Sequence, residues 1–210
     1  MLITALREGL CLDYANTLSW RGRPEPAESL GDVTALIDWV AGAIAIGTKN
    51  AQELKQWSRG HTEPAARLFA STIAIREAIY EIFSALSQGD AASERNLATL
   101  NEALGKAPAR NRLARRDGDY GWQFEQSGIS APALLAPVLW SAGDLVVRRE
   151  HRRIRQCAND KCLWLFVDES KSGTRRWCDM ASCGNRAKAS RHYLRHRAVP
   201  DSRKKAPGKG

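Results

Sequence analysis

Cys157, Cys162, Cys178 and Cys183 follow the pattern C-x4-C-x15-C-x4-C. Two tight thiol pairs separated by a short segment can close four sulfurs around one metal ion. Zinc accepts sulfur readily, prefers a tetrahedron of ligands about 2.3 Å away, and can take two from each of two short loops. Four protein ligands leave no position for water, so a centre of this kind holds structure and does not catalyse. Cys11, the fifth cysteine, lies between Leu10 and Leu12. It reads as a buried structural thiol rather than a nucleophile.

Charge concentrates around the same residues. The chain of 210 residues carries a net +9. From Arg148 onward, 18 Lys and Arg face 6 Asp and Glu, a net +12, whereas the first 147 residues hold 14 basic and 17 acidic groups, a net −3. A mildly acidic body with a strongly basic end favours a polyanionic partner, nucleic acid above all. Lys188, Arg191 and Arg195 have spacings of three and four, which align them on one helical face. A row of cations matches phosphates along a groove, although an ordinary solvated face has the same pattern. Lys161, Arg175, Arg176 and Arg186 lie near the thiols in sequence. Arg186 can therefore either join the nucleic-acid set or offset the −2 charge of a four-thiolate zinc centre.

Other chemistries find little support. His61, His151, His192 and His196 are scattered, with no H-E-x-x-H motif. A zinc deaminase needs an open metal position and a Glu near a His ligand, and neither pattern occurs. Phosphate-binding glycine motifs are also missing, so the expectation is a protein that is not an enzyme. Hydrophobic residues make up 43%, enough for a core without disulfides, and no apolar run is long enough for a membrane span. The first residues lack a signal-peptide pattern, which points to the cytoplasm, where thiols persist.

The elements that must position these groups are mostly helical. Residues 9–20 read as a short buried helix or turn, with Asp13 and Asn16 as hydrogen-bonding partners of the backbone. Residues 21–28 read as a loop. Asp32 caps a helix carrying Leu36, Ile37, Val40 and Ile44, which Gly47 ends. Thr48 starts a helix closed by Gly60, and Thr62 with Pro64 opens the longest one, to about Gln88. Asp90 is the expected cap of the next helix. Residues 112–116 and 121–125 flank Asp117-Gly118-Asp119-Tyr120 as a β-hairpin. Pro137, inside the apolar pattern after Ser130, must kink that helix or mark a later start. Residues 163–167 and 175–177 read as two strands joined by a turn at 169–173, and a helix follows from about Ser182 to Arg197. Tyr193 and Leu194 are expected to pack with Ala187 against that hairpin. Trp20, Trp39, Trp57 and Trp122 can serve as core aromatics or line a pocket for a small ligand.

The residues around the thiols resemble a known family. Cys183-Gly184-Asn185-Arg186 resembles the signature of the CGNR zinc finger, and residues 157–166 resemble its first knuckle. Residues 9–18, GLCLDYANTL, look like the opening of the ABATE domain that precedes this finger in many bacterial proteins. The resemblance implies a zinc-binding, stress-responsive transcription regulator that contacts nucleic acid, DNA before RNA. A finger that binds a protein partner, and a ligand sensor in the N-terminal part, are the alternatives. The expected class is α+β: a mostly helical domain with a small hairpin over 1–149, a treble-clef-like finger over 150–197, and a disordered basic tail over 198–210.

Overall fold

The computed structural model describes residues 2–3, 9–44, 48–116, 118–123, 128–148 and 153–197. Gly47, Phe124, His151, the arginine at 152, and the tail from 198 lie outside the described residues, as do the side chains of Arg191, Leu194 and Arg195.

The helical body forms around α4 (Thr62–Gln88), a 27-residue helix that buries Leu68, Ile75, Ile79, Ile82 and Phe83. Gly89 closes it at φ 86, a left-handed conformation that costs glycine nothing. Packed on α4 are α1 (Leu10–Ala15), α2 (Val33–Ile44), α3 (Thr48–Gly60), α5 (Glu94–Lys106) and α6 (Ala131–Leu134). A further helix, α7 (Ala136–Val147), packs on α1 and α5. Asp32 caps α2 as expected, its Oδ1 accepting the Ala35 N–H at 2.8 Å. Asp90 does not cap α5; Ser93 does, accepting from Asn96 N–H at 3.3 Å. The Asp90 N–H is engaged instead with Ala85 O at 3.0 Å, finishing the turn that Gly89 begins. Pro137 marks a later start: the chain breaks at Leu135 and the proline lies in the first turn of α7, where a missing N–H costs no helical bond.

Among the described residues, three small antiparallel sheets accompany the helices. The predicted hairpin forms as β4 (Arg112–Arg116) and β5 (Asp119–Gln123), but with a tighter turn than expected, since Asp119 and Tyr120 pair with Arg116 and Arg115; β1 (Leu2–Ile3) adds a third strand beside β5. The expected loop at 21–28 is pinned by a ribbon of β2 (Leu18–Ser19) and β3 (Ala27–Glu28). In the finger, the expected pairing of 163–167 with 175–177 does not form. Instead β6 (Ile154–Gln156) pairs with β7 (Leu165–Val167). Asp168 explains the difference. Its buried carboxylate accepts from Ser170 N–H and Oγ–H and from Arg175 N–H, which turns residues 168–175 away from the ladder.

The finger and the helical body share one core. Ile154 and Leu165, 0% and 1% exposed, belong to the same apolar cluster as α1, α2, α4 and α7. Buried Asn16 brackets the backbone of Leu165, donating to its carbonyl at 2.8 Å and accepting from its N–H at 3.0 Å. Tyr80 on α4 donates to Leu163 O and accepts from Gln156 Nε2, both at 3.0 Å. Beneath this seam lies a charge chain. Arg76, only 2% exposed, grips Glu28 through two bonds of 2.7 Å and reaches Glu77 at 2.8 Å. Glu77 also holds Arg21, whose guanidinium lies 3.7 Å from the Tyr80 ring centroid. Among the described residues, no helix is long and apolar enough to cross a membrane.

Two outcomes follow from the seam. Asn16→Ala removes both bonds and leaves a buried N–H and C=O unpaired, so chemical denaturation should show a loss of about 2–4 kcal/mol. The second concerns pH. Burial alone would raise the Glu28 and Glu77 carboxyls, but hydrogen bonds from Arg76 and Arg21 outweigh it and hold both below their ordinary 4.5. Their contribution is complete above 4.5 and is lost as pH falls through the lower folded values. Arg76→Met should flatten that acid-side loss of stability, measured by denaturation at stepped pH.

Candidate metal centre

The four cysteines converge from two short segments. Cys157 follows β6, and its N–H donates to Trp164 O at 2.8 Å, which curls residues 157–164 into a knuckle. Asn159 braces that knuckle: its carbonyl accepts from Cys162 N–H at 2.8 Å, and its Nδ2 donates to Cys183 Sγ at 3.5 Å. The second pair is held by a π turn, Met180–Gly184, capped by Asp179, whose carboxylate accepts from Ser182 N–H at 2.7 Å. The final helix, α8 (Asn185–Arg197), begins where this turn ends. Asn185 donates back to Ala181 O at 3.1 Å and so braces the start of the helix. Arg175 donates to the carbonyls of Trp177 and Cys178, tying its cation to the backbone beside the third ligand.

All four Sγ atoms lie within 4.8 Å of one another, and none of the cysteines is in a disulfide. A tetrahedron with bonds of about 2.3 Å has sulfur–sulfur edges of about 3.8 Å. The Cys162–Cys178 separation is 3.7 Å. The donor set and its size therefore fit zinc. Only a cation lets all four act as thiolates together. A hydrogen bond from Cys178 draws the Cys162 thiol down to about 5, while that same bond, then burial and thiolate repulsion, push Cys178 far up. Burial raises Cys157 as well. One thiolate is readily formed, and each further one opposes it unless a dication neutralises the set. The remote Cys11 is wholly buried, and desolvation pushes it up to about 12, which agrees with an inert thiol.

Around the thiols the structure assembles a cleft that spacing alone does not reveal. Trp20 and Arg23, from the loop between β2 and β3, face Asn159, Lys161, Trp177 and Arg186 of the finger across about 570 Å³. Gly22 makes this approach possible: a Cβ there would lie 1.7 Å from the Asp160 carbonyl oxygen. Trp20 adopts φ 56, a left-handed conformation uncommon for a bulky residue. Of the four tryptophans considered for a pocket, only Trp20 lines this cleft. Trp39 packs against Tyr14 in the core and Trp57 stacks on His61.

The cationic candidates divide. Lys188 is exposed on α8, and Arg186 is exposed with its guanidinium 4.6 Å from the Trp20 ring centroid. The backbone places Arg191 and Arg195 further along the same helix. Tyr193 does not pack against the hairpin; it is 61% exposed, because β6 and β7 turn their apolar residues toward α4 rather than toward α8.

Protein produced with zinc should contain one equivalent per chain by metal analysis. Ser replacement of any of the four cysteines should abolish stoichiometric binding. Because Ile154 and Leu165 belong to the common core, zinc removal should also lower the melting temperature of the helical body, followed by far-UV circular dichroism.

Two family models match the chain. ABATE, described as "Putative stress-induced transcription regulator", matches residues 8–149, and the CGNR zinc finger matches residues 153–196. A comparison with curated proteins returned no match. The first segment holds the body built on α4, and the second holds the four converging thiols. The chain thus belongs to the ABATE family and ends in a CGNR zinc finger whose cofactor is zinc.

Proposed function

We propose that the protein is a nucleic-acid-binding transcription regulator that acts through α8, with zinc in a structural rather than a catalytic role. The observation that carries this reading is the composition of α8. Its 13 residues include Arg186, Lys188, Arg191, Arg195 and Arg197 and no carboxylate. A helix without an apolar face gains little from packing on its own protein, and its cations suit a polyanion. Exposed Tyr193 adds an aromatic surface among those cations. A single helix fits the major groove of B-form DNA, whereas the deep, narrow major groove of A-form RNA excludes it. Double-stranded DNA is therefore the partner of choice. The four-thiolate centre anchors the start of the helix and leaves no open ligand position for chemistry. The arginines supply phosphate contacts, and the target sequence is set by base contacts that their pattern does not encode.

A Lys188/Arg191/Arg195 alanine triple tests the proposal. Removing one cation from a phosphate should lower the slope of log affinity against log salt by about one. Duplex affinity and salt slope should fall together in fluorescence anisotropy, with zinc content unchanged. A triple mutant that binds as the parent does would place the surface elsewhere. A parent that binds no better than an unrelated basic protein would favour a finger that docks on a protein partner.

A further inference from the structure

The cleft beside the thiols is built from both matched segments and has a chemistry of its own. Arg23 and Arg186 place their guanidinium carbons 4.1 and 4.6 Å from the centroid of the same ring, Trp20. A guanidinium held over an indole ring by its charge keeps N–H groups available for further hydrogen bonds. Neither makes an ion pair among the described residues. Lys161 adds a third exposed cation to the lining, and Trp177 supplies a second aromatic wall. Asp160 is the one acidic residue of the lining. Three cations and one carboxylate on two indoles suit an anion that also carries an aromatic ring and hydrogen-bond donors. A bare phosphate would leave Trp177 and Asp160 unused.

We infer that this cleft is a binding site for a nucleoside monophosphate unit. Arg23, Arg186 and Lys161 take the phosphate, Trp177 borders the base, and Asp160 accepts from ribose hydroxyls or a base N–H. Its volume of about 570 Å³ lies in the usual range for small-ligand sites. The unit can come from a free nucleotide or from an unpaired nucleotide in a single strand; the chemistry is the same. Either source would bridge the β2–β3 loop and the finger, and so would stiffen the seam between the body and α8. The inference goes beyond duplex binding by α8. Arg186 is common to the two surfaces, but Arg23 belongs to the cleft alone.

The test uses the full zinc-loaded chain and follows tryptophan fluorescence and calorimetry. Probes are the four 5′-ribonucleoside monophosphates, inorganic phosphate, and a short single-stranded oligonucleotide added in competition. Saturable binding of at least one mononucleotide is expected, at least about tenfold tighter than phosphate, which has no base or sugar to engage the walls. Arg23→Ala, and Arg23→Ala with Lys161→Ala, should each weaken mononucleotide binding about tenfold or more, with zinc content and duplex-DNA affinity unchanged. Displacement of the mononucleotide by the oligonucleotide at lower concentration identifies the strand as the source; its failure to displace identifies the free nucleotide. No saturable mononucleotide binding, phosphate binding as tightly as any nucleotide, or an Arg23→Ala protein that binds like the parent would each overturn the inference. Those results leave duplex binding by α8 untouched, because the alanine triple reports on it separately.

Discussion

A single buried carboxamide determines where the finger sits. Asn16 uses its donor and its acceptor on one residue, Leu165, 149 positions away. A side-chain amide that mimics a strand partner gives a register as well as an attraction, since its donor and its acceptor are both met by the same residue of β7. From this bracket the rest of the seam falls into place. Leu165 enters the common core, Ile154 follows from the neighbouring strand β6, and the Leu163 carbonyl comes within reach of Tyr80. Leu163 needs φ 55 to make the turn that presents this carbonyl. Such a conformation persists only where surrounding contacts determine it.

Local chemistry is legible in the sequence, and long-range pairing is not. The apolar spacing of α2 and α4, the Asp32 cap and the paired thiols each depend on residues close together in the chain. Those features appear where the pattern places them. The Asp90 cap fails because two acceptor residues, Asp90 and Ser93, compete within four positions, and the Asp90 N–H is drawn back to close α4. The finger strands pair differently from expectation for a comparable reason. Residues 163–167 have a strand-like pattern, but which segment they pair with depends on Asp168, whose buried turn bonds leave no periodic trace. The cleft is hidden for a third reason. It requires the β2–β3 loop to meet the knuckle, an encounter between residues more than 130 positions apart. Trp20 is a candidate pocket aromatic by its type alone, but Arg23 and Gly22 carry no signal in the sequence.

The charge asymmetry has a structural counterpart. Several acidic groups of the body are spent inward, on Arg76, Arg21 and Arg110, through paired hydrogen bonds. The cations of α8 have no acid on their own helix. Partly buried pairs settle the body's electrostatics locally, and the proposed duplex binding would draw on cations of α8 that no acid of that helix offsets.

Gly22 gives this architecture an unusual point of leverage. The loop and the knuckle touch backbone to backbone, with no space for even one methyl group between them. Contacts made by side chains can drift, as one residue compensates for another over many substitutions. A contact made by two main chains has no such latitude. Only the smallest residue satisfies it, so the position behaves as an all-or-none latch. A single added carbon would act as a wedge there, prising the β2–β3 loop from the finger without altering a thiol, a cation or the core.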